Sequence, residues 1–180
     1  KFGQPVTKRR LGLMVFDRNN PRVDTRIRIT NGKAEIMQKF IREEDGQGHF
    51  NKQEISIKIP NNVDSVFSAF LAFSNLLKER YSEKLIRLLV QTENYIWKLA
   101  DYELKLSYQF GKNSYYTYEI EAIRKTCDLK LVQDELGLHP TENHSSPERK
   151  LFRVTQVDLN ADEMTEKQIK TVVARYLKNI

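Results

Sequence analysis

The feature that most constrains this chain is a strict alternation of apolar and charged residues in several short segments. It runs through DTRIRIT (24–30), KQEISIKI (52–59) and YELKLSYQF (102–110). Because successive side chains of a β-strand point to opposite faces, each segment predicts a strand with one apolar and one charged face. Strands of this kind pair into an antiparallel sheet, and the apolar face of that sheet needs a cover of helices.

The rest of the sequence supplies further strands and the helices that cover the sheet. Asn31 and Gly32 predict a hairpin turn between two of the strands. Helices are predicted where apolar residues recur at three- and four-residue spacings. In chain order we predict strands at 10–17, 24–30, 33–41, 52–59, 84–99, 102–110 and 114–123, helices at 62–80, 123–138 and 161–177, and a last strand or extended segment at 151–159.

Composition excludes several classes of protein. Of the 180 residues, 39% are hydrophobic and 30% are charged, which is too apolar for a disordered chain. No run approaches the roughly 18 consecutive apolar residues of a membrane helix, and residues 1–10 lack the apolar core of a signal peptide. The single Cys127 cannot form an internal disulfide, so we expect a reducing, cytoplasmic location. We expect residues 1–180 to form one domain without a membrane partner.

The positive charge of the chain is concentrated near its start. The formal net charge is +6, and residues 1–30 carry eight Lys and Arg against two Asp and Glu, so this segment accounts for the whole excess. A local basic excess favours an anionic partner, either nucleic acid or a small phosphate compound. For Lys8 to Arg10, a solvated face that serves solubility is an equal alternative.

Two pairs of like charges share one face of their strands. Arg26 and Arg28 lie two residues apart, as do Glu119 and Glu121. Like charges at this spacing repel each other unless an ion or an opposite charge lies between them. If the sheet curls into a barrel, its polar face becomes a lumen where guanidiniums bind phosphate and carboxylates hold Mg²⁺ or Mn²⁺. The set of strands indicates a metal-bound polyphosphate, although any one strand alone is more typical of a solvated sheet face.

The order of these motifs resembles that of the CYTH superfamily, the triphosphate tunnel metalloenzymes. DTRIRITNGKAEIMQK is similar to the family's Arg-x-Arg strand, turn and Lys strand, and KQEISIKI to its next acidic strand. YELKLSYQFGKNSYYTYEIEAI is similar to its late acidic strand, turn and Glu-x-Glu strand. The resemblance spans about residues 10–138. It implies an α+β domain whose antiparallel sheet curls into a closed or partly open tunnel-like barrel, with helices packed outside.

The resemblance also implies roles for individual side chains. Asp101 is a less favoured substitute for one of the acids, Glu103. The family's Arg ahead of the late acidic strand has two alternatives here, Arg87 and Lys98. The implied phosphate ligands are Arg26, Arg28, Lys39 and Lys58, the implied Mg²⁺ or Mn²⁺ ligands are Glu119 and Glu121, and the implied catalytic acids are Glu54 and Glu103.

One family motif has no counterpart in this sequence. The family opens with a Glu-x-Glu-x-Lys strand, and residues 1–14 contain none. Either a segment upstream of Lys1 supplies it, or the chain is a divergent member whose lumen is incomplete. In the first case the neighbouring strands have an exposed edge here. In the second case anion binding persists while catalysis is lost.

Other catalytic and metal sites are not indicated. His49, His139 and His144 fall in predicted loops, and neither HxxxH nor CxxC spacing occurs, which argues against a zinc site. Cys127 lies on the apolar side of its predicted helix and is expected in the core. The Gly-rich phosphate loops of nucleotide-binding folds are absent. The tyrosines of SYYTYE (114–119) fit strand propensity better than base stacking.

Three functions fit these observations. The first is divalent-metal-dependent hydrolysis of an inorganic, thiamine or nucleoside triphosphate. The second is a non-catalytic module that binds RNA or polyphosphate. The third is an adenylyl cyclase of the class IV type, because one fold can host several chemistries.

Overall fold

The computed structural model describes residues 2–17, 23–44, 50–81, 85–124, 126–138 and 152–179. The strands are β1 (Val6–Asp17), β2 (Val23–Thr30), β3 (Lys33–Glu44), β4 (Phe50–Lys58), β5 (Leu85–Lys98), β6 (Tyr102–Phe110), β7 (Tyr115–Ala122) and β8 (Leu159–Asn160). The helices are α1 (Val63–Tyr81), α2 (Leu129–Leu136) and α3 (Glu166–Leu177). A single π-helical turn, Arg153–Val157, precedes β8.

These strands join one antiparallel sheet. The strand order is β4-β3-β2-β1-β5-β6-β7. The short β8 pairs with Leu88 and Leu89 of β5, ahead of residues 91–98, which pair with β6. Within the described ranges β4 and β7 form no ladder with each other, so hydrogen bonds do not close the sheet into a barrel. The antiparallel α+β class is therefore confirmed, whereas the closed barrel is not.

The apolar face of the sheet is covered by α1 and α3, and we call it the covered face. Odd-numbered residues of β1 and β2 share this face, so their apolar side chains pack directly against the helices. Phe70 of α1 is 1% exposed. Burial of a side chain of this size contributes roughly 1.5–3 kcal/mol to stability. The central core residues are Leu11, Leu13, Val15, Ile27 and Ile29 of the sheet, Val66, Phe67 and Phe70 of α1, and Ile169, Val173 and Tyr176 of α3.

Side-chain caps fix the ends of the covering helices. The Asn62 Oδ1 accepts a hydrogen bond from the Ser65 N–H at 2.8 Å, in front of α1. Thr165 and Gln168 form a reciprocal capping box at the start of α3. The helices that result are amphipathic, and among the described residues none is long and apolar enough to cross a membrane.

Two predicted boundaries are wrong for identifiable reasons. β1 begins at Val6 rather than at residue 10, because it pairs with β5 along its whole length. The helix predicted over 123–138 is confined to Leu129–Leu136, because Asp128 accepts hydrogen bonds from the first turn and caps it. Cys127 therefore lies ahead of the helix, and it is half-buried rather than a core residue.

The C-terminal segment departs further from the sequence prediction. The expected strand over 151–159 is replaced by the π-helical turn, and only Leu159–Asn160 pairs with β5. The Val157 carbonyl accepts a hydrogen bond from the Lys112 N–H at 2.7 Å, so the strand ladder is not continued there. The last helix begins at Glu166 instead of residue 161, after its cap.

Candidate functional site

Backbone register gathers the charged side chains on the face opposite the covered face. Met14 and Gly12 of β1 lie opposite Arg26 and Arg28 of β2. The same parity continues through β5 and β6 to β7. We call this surface the polar face. Its charged positions include Lys8, Arg10, Arg26, Arg28, Glu35, Lys39, Glu54, Lys58, Lys98, Glu103, Lys105, Glu119 and Glu121.

Every residue that the resemblance gives as a phosphate ligand, a metal ligand or a catalytic acid therefore has its backbone position on the polar face. Lys39 lies opposite Glu54, and Glu35 lies opposite Lys58, across β3 and β4. The side chain of Lys39 is outside the described part of the chain, so only its position in the ladder is given. Register establishes the shared face, and the chemical roles remain predictions.

Arg28 is held by two carboxylates. Its Nε donates to the Glu35 Oε1 at 2.7 Å, and its Nη2 donates to the Glu54 Oε1 at 2.9 Å. Charge-assisted bonds to two different groups fix the plane of the guanidinium. Glu54, expected as a catalytic acid, thus orients Arg28 in this structure.

Arg26 occupies an apolar part of the polar face. Met14 and Met37 lie directly opposite it on β1 and β3. Loss of water around the guanidinium lowers the pKa of Arg26 to about 9, and the positive charges of Arg153 and Arg10 act in the same direction. The protein therefore holds a cation where solvation is poor and like charges are close.

Arg10 joins this group, although its sequence context is equally compatible with a solvated face. Its Nε donates to the Thr30 Oγ1 at 3.3 Å. Burial lowers the pKa of Arg10, and the charge of Arg28 lowers it further, whereas carboxylates that include Glu54 and Glu119 raise it. Since these two acids lie on β4 and β7, charges from both edge strands act on Arg10.

The acidic positions lie mainly on β6 and β7. Glu103 and Glu121 are directly opposite each other, and the Cβ atoms of such pairs are about 4.5–5.5 Å apart. Glu119 forms an ion pair with Lys105 instead. Within the described ranges no group of three His, Cys, Asp or Glu side chains is placed to hold a metal ion. The two facing carboxylates offer oxygen donors, the ligand type that Mg²⁺ takes in proteins.

Uncharged polar side chains lie between the basic and acidic positions. The Ser107 Oγ donates to the Asn94 Oδ1 at 2.7 Å, and the Gln109 Nε2 donates to the Thr117 Oγ1 at 3.2 Å. Asn94, Ser107 and Gln109 are buried. A neutral hydrogen-bonded region therefore lies between the arginines of β1 and β2 and the carboxylates of β6 and β7.

The structure separates the alternatives that the sequence left open. Arg87 forms its ion pair on the covered face, whereas Lys98 ends β5 on the polar face with its Nζ 4.0 Å from the Glu103 Oε2. Asp101 pairs with Arg124 at 3.1 Å in the turn before β6. The register of β5 and β6 therefore places Lys98 and Glu103 on the polar face, whereas Arg87 lies on the covered face and Asp101 in a turn.

The remaining sequence candidates contribute less to the polar face. The predicted loop histidines His49, His139 and His144 lie outside the described residues. Tyr116 is exposed and packs on Tyr108, with ring centroids 4.8 Å apart. This pair lies on the opposite side of the sheet from the arginines, because Tyr116 and Glu119 differ in parity.

Solved structures share the fold. A conserved hypothetical protein from Pyrococcus furiosus is 17% identical, covers 81% of this chain and 84% of its own, and has a TM-score of 0.56. The PH1819 protein from Pyrococcus horikoshii is 19% identical, covers 84% and 88%, and has a TM-score of 0.57. A Bacillus halodurans protein described as a "putative adenylate cyclase" is 12% identical, covers 76% and 80%, and has a TM-score of 0.52.

No family model and no curated protein matches the chain. At the identities of the solved structures, the likeness shows the fold alone.

Proposed function

We propose that the polar face binds a compact polyphosphate together with a divalent cation. The protein then hydrolyses the terminal phosphoanhydride bond of the polyphosphate, as a CYTH-type triphosphatase does. The observation that carries this proposal is the group formed by Arg10, Arg26 and Arg28, in which burial lowers the pKa of two members. Guanidiniums placed in this way repel one another and are poorly hydrated. A polyanion that bridges them removes both costs, and one phosphate chain carries enough oxygens to do so.

The pairing of Arg28 supports a phosphate-binding role. With Glu35 and Glu54 bound at 2.7 and 2.9 Å, the guanidinium is pre-oriented and needs little ordering when a ligand arrives. Lys39 and Lys58 add positive charge from the neighbouring strands. In this proposal Glu54 is a positioning residue, and Lys39 and Lys58 serve as point charges for the phosphate chain.

The carboxylates of β6 and β7 are the proposed cation ligands. Glu103 and Glu121 face each other, and Glu119 lies two residues from Glu121 on the same face. Oxygen donors of this kind suit Mg²⁺ and Mn²⁺. When bound, the ion supplies neutralisation of phosphate charge and a water of lowered pKa. Before a cation binds, Lys105 compensates the negative charge of Glu119.

The proposal is tested by comparing tripolyphosphate with monophosphate at the same total concentration of phosphate groups. Tripolyphosphate should raise the melting temperature more than monophosphate, because a ligand that binds only the folded state stabilises it by mass action. Release of phosphate should then require Mg²⁺ or Mn²⁺. Long RNA that binds with a steep salt dependence, and that tripolyphosphate displaces poorly, would favour the binding module instead. No stabilisation by either anion would contradict both.

A class IV type adenylyl cyclase is the second candidate. It is favoured by the fold shared with the Bacillus halodurans protein that is described as a "putative adenylate cyclase". With ATP as substrate, a hydrolase releases inorganic phosphate, whereas a cyclase releases pyrophosphate and cyclic AMP. Phosphorus NMR of the products separates the two directly.

A further inference from the structure

The segment Phe152–Asp158, which we call the strap, lies across the turn between β6 and β7. The Val157 carbonyl accepts a hydrogen bond from the Lys112 N–H at 2.7 Å. The Gln156 carbonyl accepts one from the side-chain amide of Asn113, also at 2.7 Å. These bonds fix the backbone of the strap against the end of the sheet.

The strap brings a buried carboxylate to the polar face. Asn160 of β8 lies opposite Leu88 of β5, and Leu88 lies opposite Met14 on the polar face. Asp158 is extended, with φ −73° and ψ 151°, so its side chain shares the face of Asn160 two residues later. It is 2% exposed. Burial raises the pKa of Asp158, and the charge of Arg26 acts against that shift.

Arg153 lies beside this carboxylate and remains accessible. Its Nη2 is 3.5 Å from the Asp158 Oδ2, and 33% of the Arg153 side chain is exposed against 3% for Asp158. Its charge also lowers the pKa of Arg26, more than any other neighbouring charge does. A Cβ placed on Gly12 would lie 3.8 Å from both the Arg26 Cδ and the Val90 Cβ, so the Arg26 side chain extends over β1 toward β5, the strand with which β8 pairs. Two guanidiniums from different parts of the chain therefore approach the same end of β5, with the buried carboxylate of Asp158 beside Arg153.

Two atoms of this group also lack hydrogen-bond partners. Within the described part of the chain, the buried Arg153 Nε and the buried Asp158 Oδ1 are both unsatisfied. Buried polar atoms are seldom left in that state, because each costs free energy. A phosphoryl group that bridges Arg26 and Arg153 supplies the acceptor that the Arg153 Nε lacks.

We propose that Arg26 and Arg153 form a phosphate subsite where the strap meets the sheet, and that Asp158 positions Arg153 in it. The subsite rests on the proposed function and extends it to a residue outside the sheet ladders. It takes a phosphoryl group of the polyphosphate chain, whose oxygens accept hydrogen bonds from both guanidiniums.

Titration calorimetry with tripolyphosphate tests the subsite. Arg153→Gln should weaken binding by about tenfold or more, the usual effect of one charged hydrogen-bonding partner. Asp158→Asn should weaken it in the same direction by a smaller factor, because Arg153 loses its anchor. Arg124→Gln is the matched control, since Arg124 is an exposed arginine paired with Asp101, and it should leave the affinity unchanged.

The ratio of tripolyphosphate affinity to monophosphate affinity separates binding from a structural role. The subsite predicts that this ratio falls in Arg153→Gln, whereas a structural role would lower the melting temperature and leave the ratio intact. If Arg153→Gln does not fold, Arg153→Lys tests the subsite instead, because lysine keeps the positive charge but lacks the forked N–H donors of a guanidinium. The affinity of Arg153→Lys for tripolyphosphate should be severalfold weaker than that of the parent. A parent protein that does not bind tripolyphosphate overturns the proposed function as well. A parent that binds it, with variants that bind equally well, overturns the subsite alone.

Discussion

Replacing Arg26 by methionine should stabilise the free protein while it removes most of the polyphosphate binding. The folded environment lowers the pKa of this guanidinium from its ordinary value to about 9. A shift of that size corresponds to at most about 5 kcal/mol of unfavourable free energy in the folded state. Methionine has a similar length, and the facing positions are already occupied by Met14 and Met37, so the substitution suits its surroundings.

The same shift gives the stabilisation a defined pH dependence. Because the folded-state pKa of Arg26 lies below its unfolded value, the unfolded chain binds the proton more tightly, and the charge destabilises the fold. This penalty is fully present below a pH of about 9 and shrinks as the pH rises from there toward the ordinary pKa of arginine. Asp158 loses a neighbouring positive charge in the variant, which offsets part of the gain. We therefore expect a net gain of about 1–3 kcal/mol at neutral pH.

Urea denaturation at pH 7 in phosphate-free buffer measures this gain. Arg28→Met is the matched control, because Arg28 bonds Glu35 and Glu54 at 2.7 and 2.9 Å and its removal takes a charged hydrogen-bond donor from each of these carboxylates. That variant should lose about 1–3 kcal/mol, so the two substitutions should shift stability in opposite directions. Destabilisation by both would refute the argument that the fold carries Arg26 at a cost for the sake of a ligand.

Two further predictions concern the strap and the carboxylates. A Cβ at Gly111 would clash with the Val157 carbonyl oxygen, so Gly111→Ala should cost about 1–3 kcal/mol and weaken tripolyphosphate binding. Gly137→Ala, at φ +65° with open space around it, should cost stability without changing that affinity, and equal affinity losses in the two variants would contradict the strap's role. The double change Glu119→Gln and Glu121→Gln should preserve the unfolding free energy within about 1 kcal/mol and remove both Mn²⁺-dependent stabilisation and hydrolysis. Unchanged Mn²⁺ affinity, or an unfolded variant, would show that the pair is structural.

The shared face of the charged residues could be predicted because it depends only on residue spacing within each strand. In a strand, residues two apart share a face whatever the rest of the chain does, so Arg26 with Arg28 and Glu119 with Glu121 followed from spacing alone. The charged residues of different strands share one face because the apolar residues that alternate with them must all face the same core. Closure of the sheet depends on strand curvature and edge pairing, which alternation does not encode.

The strap and its arginine could not be predicted in the same way. Residues 151–159 alternate enough to indicate a strand, but the Val157 carbonyl is taken by Lys112, which lies 45 residues earlier in the sequence. Contacts of that range leave no local pattern. Arg10 shows the intermediate case, because the strand predicted over 10–17 already gives it the parity of Gly12. No motif distinguished it from a residue of a solvated face, and its place in the site became clear only from its neighbours on β2 and the edge strands.

A crystal structure of the protein with tripolyphosphate and Mn²⁺ tests the central claim most directly. The account predicts phosphate density against Arg26 and Arg28, and an anomalous manganese peak beside Glu103 and Glu121 on the same polar face. It also predicts a contact between one phosphoryl group and Arg153. Phosphate bound elsewhere on the surface, or a polar face that stays empty at saturating ligand, would contradict it.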